Sequence, residues 1–148
     1  MAFRFSLRAV LSMWESRERA ERLRLEAIAA KILQFRHLIE ANEQSSRTER
    51  TELNESLADG IAGSEVCYLL AREEGRNQLR KALQRQIGEL VAQWETQHKV
   101  LMEARRQREI LEKLRARQLQ AYRLDQERRF QQQVDELFLL SHSREQSE

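Results

Sequence analysis

Across 148 residues this chain contains no proline, and three of its 4 glycines (Gly60, Gly63 and Gly75) lie close to the middle. Proline breaks helices, and glycine weakens them by about 1 kcal/mol per residue. Two long stretches therefore carry nothing that would stop a helix. Arg, Glu, Gln, Leu and Ala dominate them, all good helix formers. Charged residues make up 34% of the chain, too many for an ordinary globular core.

The apolar residues recur at the spacing that packs one helix on another. In the first half Leu25, Ile28, Ile32, Phe35 and Ile39 step alternately by three and four. Extended backwards, the frame collects Trp14, Leu11 and Leu7, with polar gaps at Glu18 and Glu21. Extended forwards, it weakens into Asn42, Ser46 and Glu49. The second half repeats the pattern with Leu83, Ile87, Leu90 and Trp94, then Leu101, Ala104, Arg108 and Leu111. A 3.5-residue apolar period is the coiled-coil signal.

The strongest break is Asp59-Gly60-Ile61-Ala62-Gly63-Ser64-Glu65. Gly60 suits a left-handed C-cap, and Ser64 suits an N-cap. The expectation is an all-α, long antiparallel two-helix coiled-coil hairpin, a single domain over 1–148. Its helices would cover about 4–58 and 76–141, around a tip at about 59–75 holding a short helix or loop. A short helix over Glu65 to Glu74 would end at the weak point Gly75.

If the chain folds back at residues 62–63, each strong seam residue meets an apolar opposite. Ile32 faces Trp94, Phe35 faces Leu90, Ile39 faces Ile87, Leu25 faces Leu101 and Trp14 faces Leu111. That match favours an intramolecular hairpin over a parallel dimer. Each arm would be roughly 80 Å long, and the second helix would overhang the first by about 20 residues.

Catalytic and ligand-binding classes find little support. Cys67 is the only cysteine, so there is no internal disulfide and no CxxC, and a reducing compartment is expected. It sits in the apolar run Val66-Cys67-Tyr68-Leu69-Leu70 with no nearby histidine, which reads as packing. His37, His98 and His142 form no metal-ligand spacing, and His37 is expected near Glu89. No phosphate-binding glycine loop occurs. No apolar run approaches the ~18 residues of a membrane span. The opening segment is too short and too charged for a signal peptide. No enzyme, no cofactor and no metal are expected.

Net charge is only +2, but it is unevenly spread. Ala104 to Arg129 holds nine basic and four acidic residues, and the tail from Gln131 is net acidic. The acids sit where i,i+4 pairs such as Glu109–Lys113 and Asp125–Arg129 can form, which reads as a salt-bridged helix face. A dock for an acidic protein is the next reading, and nucleic acid is a poor third. Phe130, Val134, Leu137 and Phe138 form an apolar patch on the expected overhang, suggesting a partner surface or a self-associating end.

The opening Phe3-Arg4-Phe5-Ser6-Leu7-Arg8-Ala9-Val10-Leu11 resembles the F-x-F-x-L-x-x-[VL]-L start of the FliJ family of the bacterial flagellar export apparatus. Glu109-Ile110-Leu111-Glu112-Lys113-Leu114, with Arg117 and Tyr122, resembles its C-terminal signature. The stretch from Gly60 to Leu70, with Tyr68 ahead of a long helix, fits as well. The resemblance implies a cytoplasmic protein at the inner-membrane base of the flagellum, reaching the membrane only through the export gate. It implies a stalk shaped like the γ subunit of rotary ATPases, inserted in the ring of the export ATPase FliI and promoting its hexamer. It also implies contacts with the gate protein FlhA and with export chaperones. The ring-binding end would include Phe3, Phe5 and Leu7, and the second helix from about Leu114 through Leu119, Tyr122, Phe130, Val134 and Leu137. In the family the gate-binding surface lies on the second helix near the tip. Here the corresponding stretch, Arg72 to Ala82, is very polar and gives no single gate contact. The alternatives are the stalk of a virulence injectisome, a generic coiled-coil scaffold, or a basic helical nucleic-acid binder.

Overall fold

A computed structural model describes residues 3–145. It contains two helices, α1 (Arg8–Asp59, 52 residues) and α2 (Gly63–Glu145, 83 residues), and no strand among the described residues. They are packed against each other as a helical hairpin. Two compact units divide it: one joins the start of α1, up to Glu18, with α2 from Glu103 onwards, and the other is Arg19–Met102.

The turn is tighter than the glycine spacing suggests. Gly60 takes φ +87°, the left-handed conformation that an α-helix C-cap wants and that a Cβ penalises. The carbonyl of Ala62 then accepts from the backbone N–H groups of Glu65 (3.0 Å) and Val66 (3.2 Å), so α2 begins at once. Ala62 thus stands where Ser64 was expected to cap. Glu65 in the first turn complements the positive end of the helix.

No separate short helix forms at the tip, and α2 runs unbroken through Gly75 and Gly88. A mid-helix glycine costs only about 1 kcal/mol. Half-buried side chains at Val66, Leu69, Glu73 and Arg76 hold this stretch against α1 and carry the helix across. The helices accordingly begin and end at Arg8–Asp59 and Gly63–Glu145, in place of the expected 4–58 and 76–141. The turn centres on Ile61, one to two residues before the expected fold-back at 62–63.

The 3,4 frame sets burial throughout. In the Arg19–Met102 unit, Ile32 and Leu83 are buried, and Leu25, Ile28, Phe35, Ile39, Ile87, Leu90, Trp94 and Leu101 are half-buried. In the other unit, Phe5, Leu11 and Ala104 are buried, and Leu7, Trp14 and Leu111 are half-buried. A core only two helices wide leaves most seam residues one flank open. Ala104, 1% exposed, is the best covered side chain of the seam.

Candidate functional site

The polar interruptions of the seam are built layers. Glu18 is 5% exposed and pairs with Arg108, whose Nη1 also reaches Glu112 at 2.7 Å. Hydrogen bonds from the guanidinium to Glu18, then to Glu112, raise the Arg108 pKa further above its usual value. In the other unit Glu21, 6% exposed, accepts from Gln97 on both its carboxylate and its backbone carbonyl, and from Arg24 at 3.0 Å. A buried carboxylate without such partners would be strongly unfavourable.

Below Ile39 the seam that reads as weak is a hydrogen-bonded ladder. Asn42 donates to the Arg76 carbonyl (3.1 Å), and the Ser46 hydroxyl donates to both oxygens of Glu73 (2.9 and 2.7 Å). Arg50 also pairs with Glu73, and Glu49 pairs with Arg72 and Arg76. The bond from Ser46, then that from Arg50, holds the Glu73 carboxyl below the ordinary carboxylate range. The apolar pattern missed this ladder; the 3,4 spacing of Asn42, Ser46, Glu49 and of Glu73, Arg76 was its signal.

In the unit that joins the start of α1 to the later part of α2, the residues implied as ring-binding fall into two groups. Phe3, Phe5, Leu114, Leu119 and Tyr122 are packed to various degrees: Phe5 is buried, and the rest are half-buried. The Phe3 and Tyr122 rings meet at 5.7 Å with a 49° tilt. The Phe5 carbonyl accepts from Arg8 N–H at the start of α1 (3.2 Å). Beside them Phe3, Phe5, Leu11 and Arg115 line an open cavity of about 640 Å³.

Past Tyr122 the packing stops: every residue from Arg123 to His142 is exposed. Phe130, Val134 and Leu137 project at i, i+4 and i+7 from this bare helix, so they share one face. Phe130 and Leu137 are each 67% exposed, and Phe138, Leu139 and Leu140 add to the apolar surface.

Several side chains singled out in the sequence do not converge. Cys67 is exposed rather than packed, because the frame turns Val66 and Leu69 toward α1 and leaves Cys67, Tyr68 and Leu70 outside. His37 points to Glu40 at 3.9 Å on its own helix. His98 stacks on Trp94 (5.1 Å), and His142 on Phe138 (6.0 Å). Among the described residues no group of three His, Cys, Asp or Glu could hold a metal ion. None of their helices is long and apolar enough to cross a membrane. Within the basic stretch Glu109 takes Arg105 (2.9 Å), which lowers its pKa, and Asp125 takes Arg129 (2.9 Å).

Residues 3–147 match the family model described as the flagellar FliJ protein. No curated protein and no solved structure matches the chain.

Proposed function

The chain belongs to the FliJ family, and on that premise we propose that it is a non-enzymatic component of the flagellar type III export apparatus. In this reading it is the central stalk of the export ATPase, inserting in the FliI ring and promoting its hexamer. It also links the ring to the gate protein FlhA and escorts export chaperones, at the cytoplasmic base of the flagellum.

One observation carries the reading. From Arg123 to His142 the helix is exposed on every face, and it displays Phe130, Val134 and Leu137 on one of them. A helix presenting anchors at i, i+4 and i+7 is a standard way to enter an apolar groove or sleeve. The packed Phe3–Tyr122 end holds the root of that helix against α1. A stalk needs this combination of a held root and an uncovered, amphipathic tip.

The test is the ATPase rate and hexamer formation of FliI with and without the purified chain. Stimulation is expected, and Phe130→Asp with Leu137→Asp should abolish it while leaving the hairpin helical. Unchanged stimulation by that variant, or none by the wild type, overturns the reading.

A further inference from the structure

On one flank of the polar ladder, hydrogen-bond donors outnumber acceptors. Arg76 and Arg80 lie four residues apart on α2 and so share a face. Arg76 Nη1 and Arg80 Nε are buried from solvent and have no partner, although Arg76 Nη2 is held by Glu49. Buried donors without partners are uncommon in folded chains, and they are most costly on a charged group. Both residues line a cleft of about 240 Å³ with Arg47 and Arg50 of α1, and Asn77 adds an amide to its wall.

The charge is as uneven as the hydrogen bonding. Four guanidiniums in the cleft wall face two carboxylates, Glu43 and Glu73. Beside the cleft Arg72 and Arg76 share Glu49, which leaves that excess of two positive charges unchanged. Glu73 is already engaged by Ser46 and Arg50. Arg47 and Arg80 make no ion pair among the described residues. Arg47 is exposed, and Arg50 has 65% of its side chain exposed. Exposed side chains change rotamer within nanoseconds, so a small ion can reach the donors behind them.

We propose that this cleft binds a small free phosphate ion, inorganic phosphate or diphosphate, which accepts from Arg76 Nη1 and Arg80 Nε on one helix and from Arg47 on the other. Three observations select this ligand. The unpaired groups are guanidinium donors, and phosphate oxygens are strong acceptors for them. A phosphate group carries about −1.5 to −2 at pH 7, which matches the excess of two. The cleft is smaller than the ~300 Å³ at which drug-sized ligands begin to fit, so it admits an ion and not a nucleoside. Because the donors come from both helices, the bound ion braces α1 to α2 where the seam below Ile39 has polar layers in place of apolar ones. The cleft lies wholly within the Arg19–Met102 unit. The proposal stands or falls independently of the stalk reading.

The test is titration calorimetry of the full chain with sodium phosphate and with sodium pyrophosphate, at about 50 mM sodium chloride, where charges are weakly screened. Saturable binding to one site is expected. The melting midpoint should rise with phosphate concentration, because the ion binds the folded chain and not the unfolded one. Affinity should fall roughly tenfold or more in the Arg47→Gln, Arg80→Gln double variant. It should change less than about twofold in an Arg128→Gln, Arg129→Gln control, which removes the same charge elsewhere. Circular dichroism shows whether both variants keep their helicity. Should the cleft variant unfold, Arg47→Gln alone replaces it: this side chain is exposed and makes no ion pair, so the hairpin keeps its fold, and affinity should still fall roughly threefold. No saturable binding would mean that water alone meets the donors, and it overturns the proposal. Equal loss in cleft and control variants does so too, as does an equal rise in melting midpoint with sodium chloride at matched ionic strength.

Discussion

Arg108 on α2 donates to Glu18 on α1, and this pair sits inside the seam at a position where the heptad calls for an apolar residue. The relationship fixes which turn of one helix faces which turn of the other, because a slip leaves both charges in an apolar layer. Arg108→Ala should lower hairpin stability by about 2 kcal/mol, the cost of stranding a buried carboxylate, discounted for the thinness of a two-helix core. Glu18→Leu with Arg108→Leu should recover most of that loss. Urea melts of the three proteins check it: a double variant as unstable as the single one would show that the pair contributes more than an apolar layer can.

The glycines predict opposite signs. Gly60 holds φ +87°, so Gly60→Ala should destabilise by about 1 kcal/mol through left-handed strain. Gly75 and Gly88 lie within α2, with no neighbouring atom within 4 Å of an added Cβ. Gly75→Ala and Gly88→Ala should each stabilise by about 0.8 kcal/mol. Thermal melts of the three single variants decide it. A stabilised Gly60→Ala, or a destabilised Gly75→Ala, would contradict the geometry.

Acid should loosen the ladder. The folded-state pKa of Glu73 is lowered by Ser46 and Arg50. Its contribution is therefore present above the unfolded value of 4.5 and is lost as pH falls through the lower folded value. Ser46→Ala removes the larger cause. Its stability deficit relative to wild type should be clear at pH near 7 and shrink as pH falls toward about 3. Denaturant melts at the two pH values measure the difference. A deficit that stays constant would mean that the hydroxyl acts by packing alone.

Truncation separates stability from binding. Every residue from Arg123 to His142 is exposed. A chain ending at Tyr122 should melt within about 2 °C of the full protein, since no packing is lost. Its helical ellipticity per molecule should fall, because the bare helix is gone. A large drop in melting temperature would show that the overhang folds back on the hairpin.

The packed end gives the complementary case. Phe3→Ala or Tyr122→Ala removes a tilted aromatic pair worth about 0.5–1.5 kcal/mol beyond area. Amide exchange should quicken over the first turns of α1, with residues near Phe35 unaffected. Uniform acceleration along α1 would mean that the pair nucleates the whole helix.

Most of the architecture was legible in the residues themselves. Absent proline and the 3,4 recurrence of Leu11, Ile32, Leu83 and their companions determine two long helices with one seam each. Gly60 marks where the first one stops, because a left-handed residue is needed there. Even the bare helix follows, since the second apolar series outlasts the first. Other features were decided by tertiary structure: the place of the turn, the outward position of Cys67, and the partners of Glu18, Glu21 and Glu73. The reason is geometric. In an antiparallel pair, moving the turn by one residue shifts every cross-helix partner by two. Apolar layers tolerate that shift, because one aliphatic side chain packs much like the next. Directional bonds between guanidiniums, hydroxyls and carboxylates do not, so their partners exist only once the stagger is set.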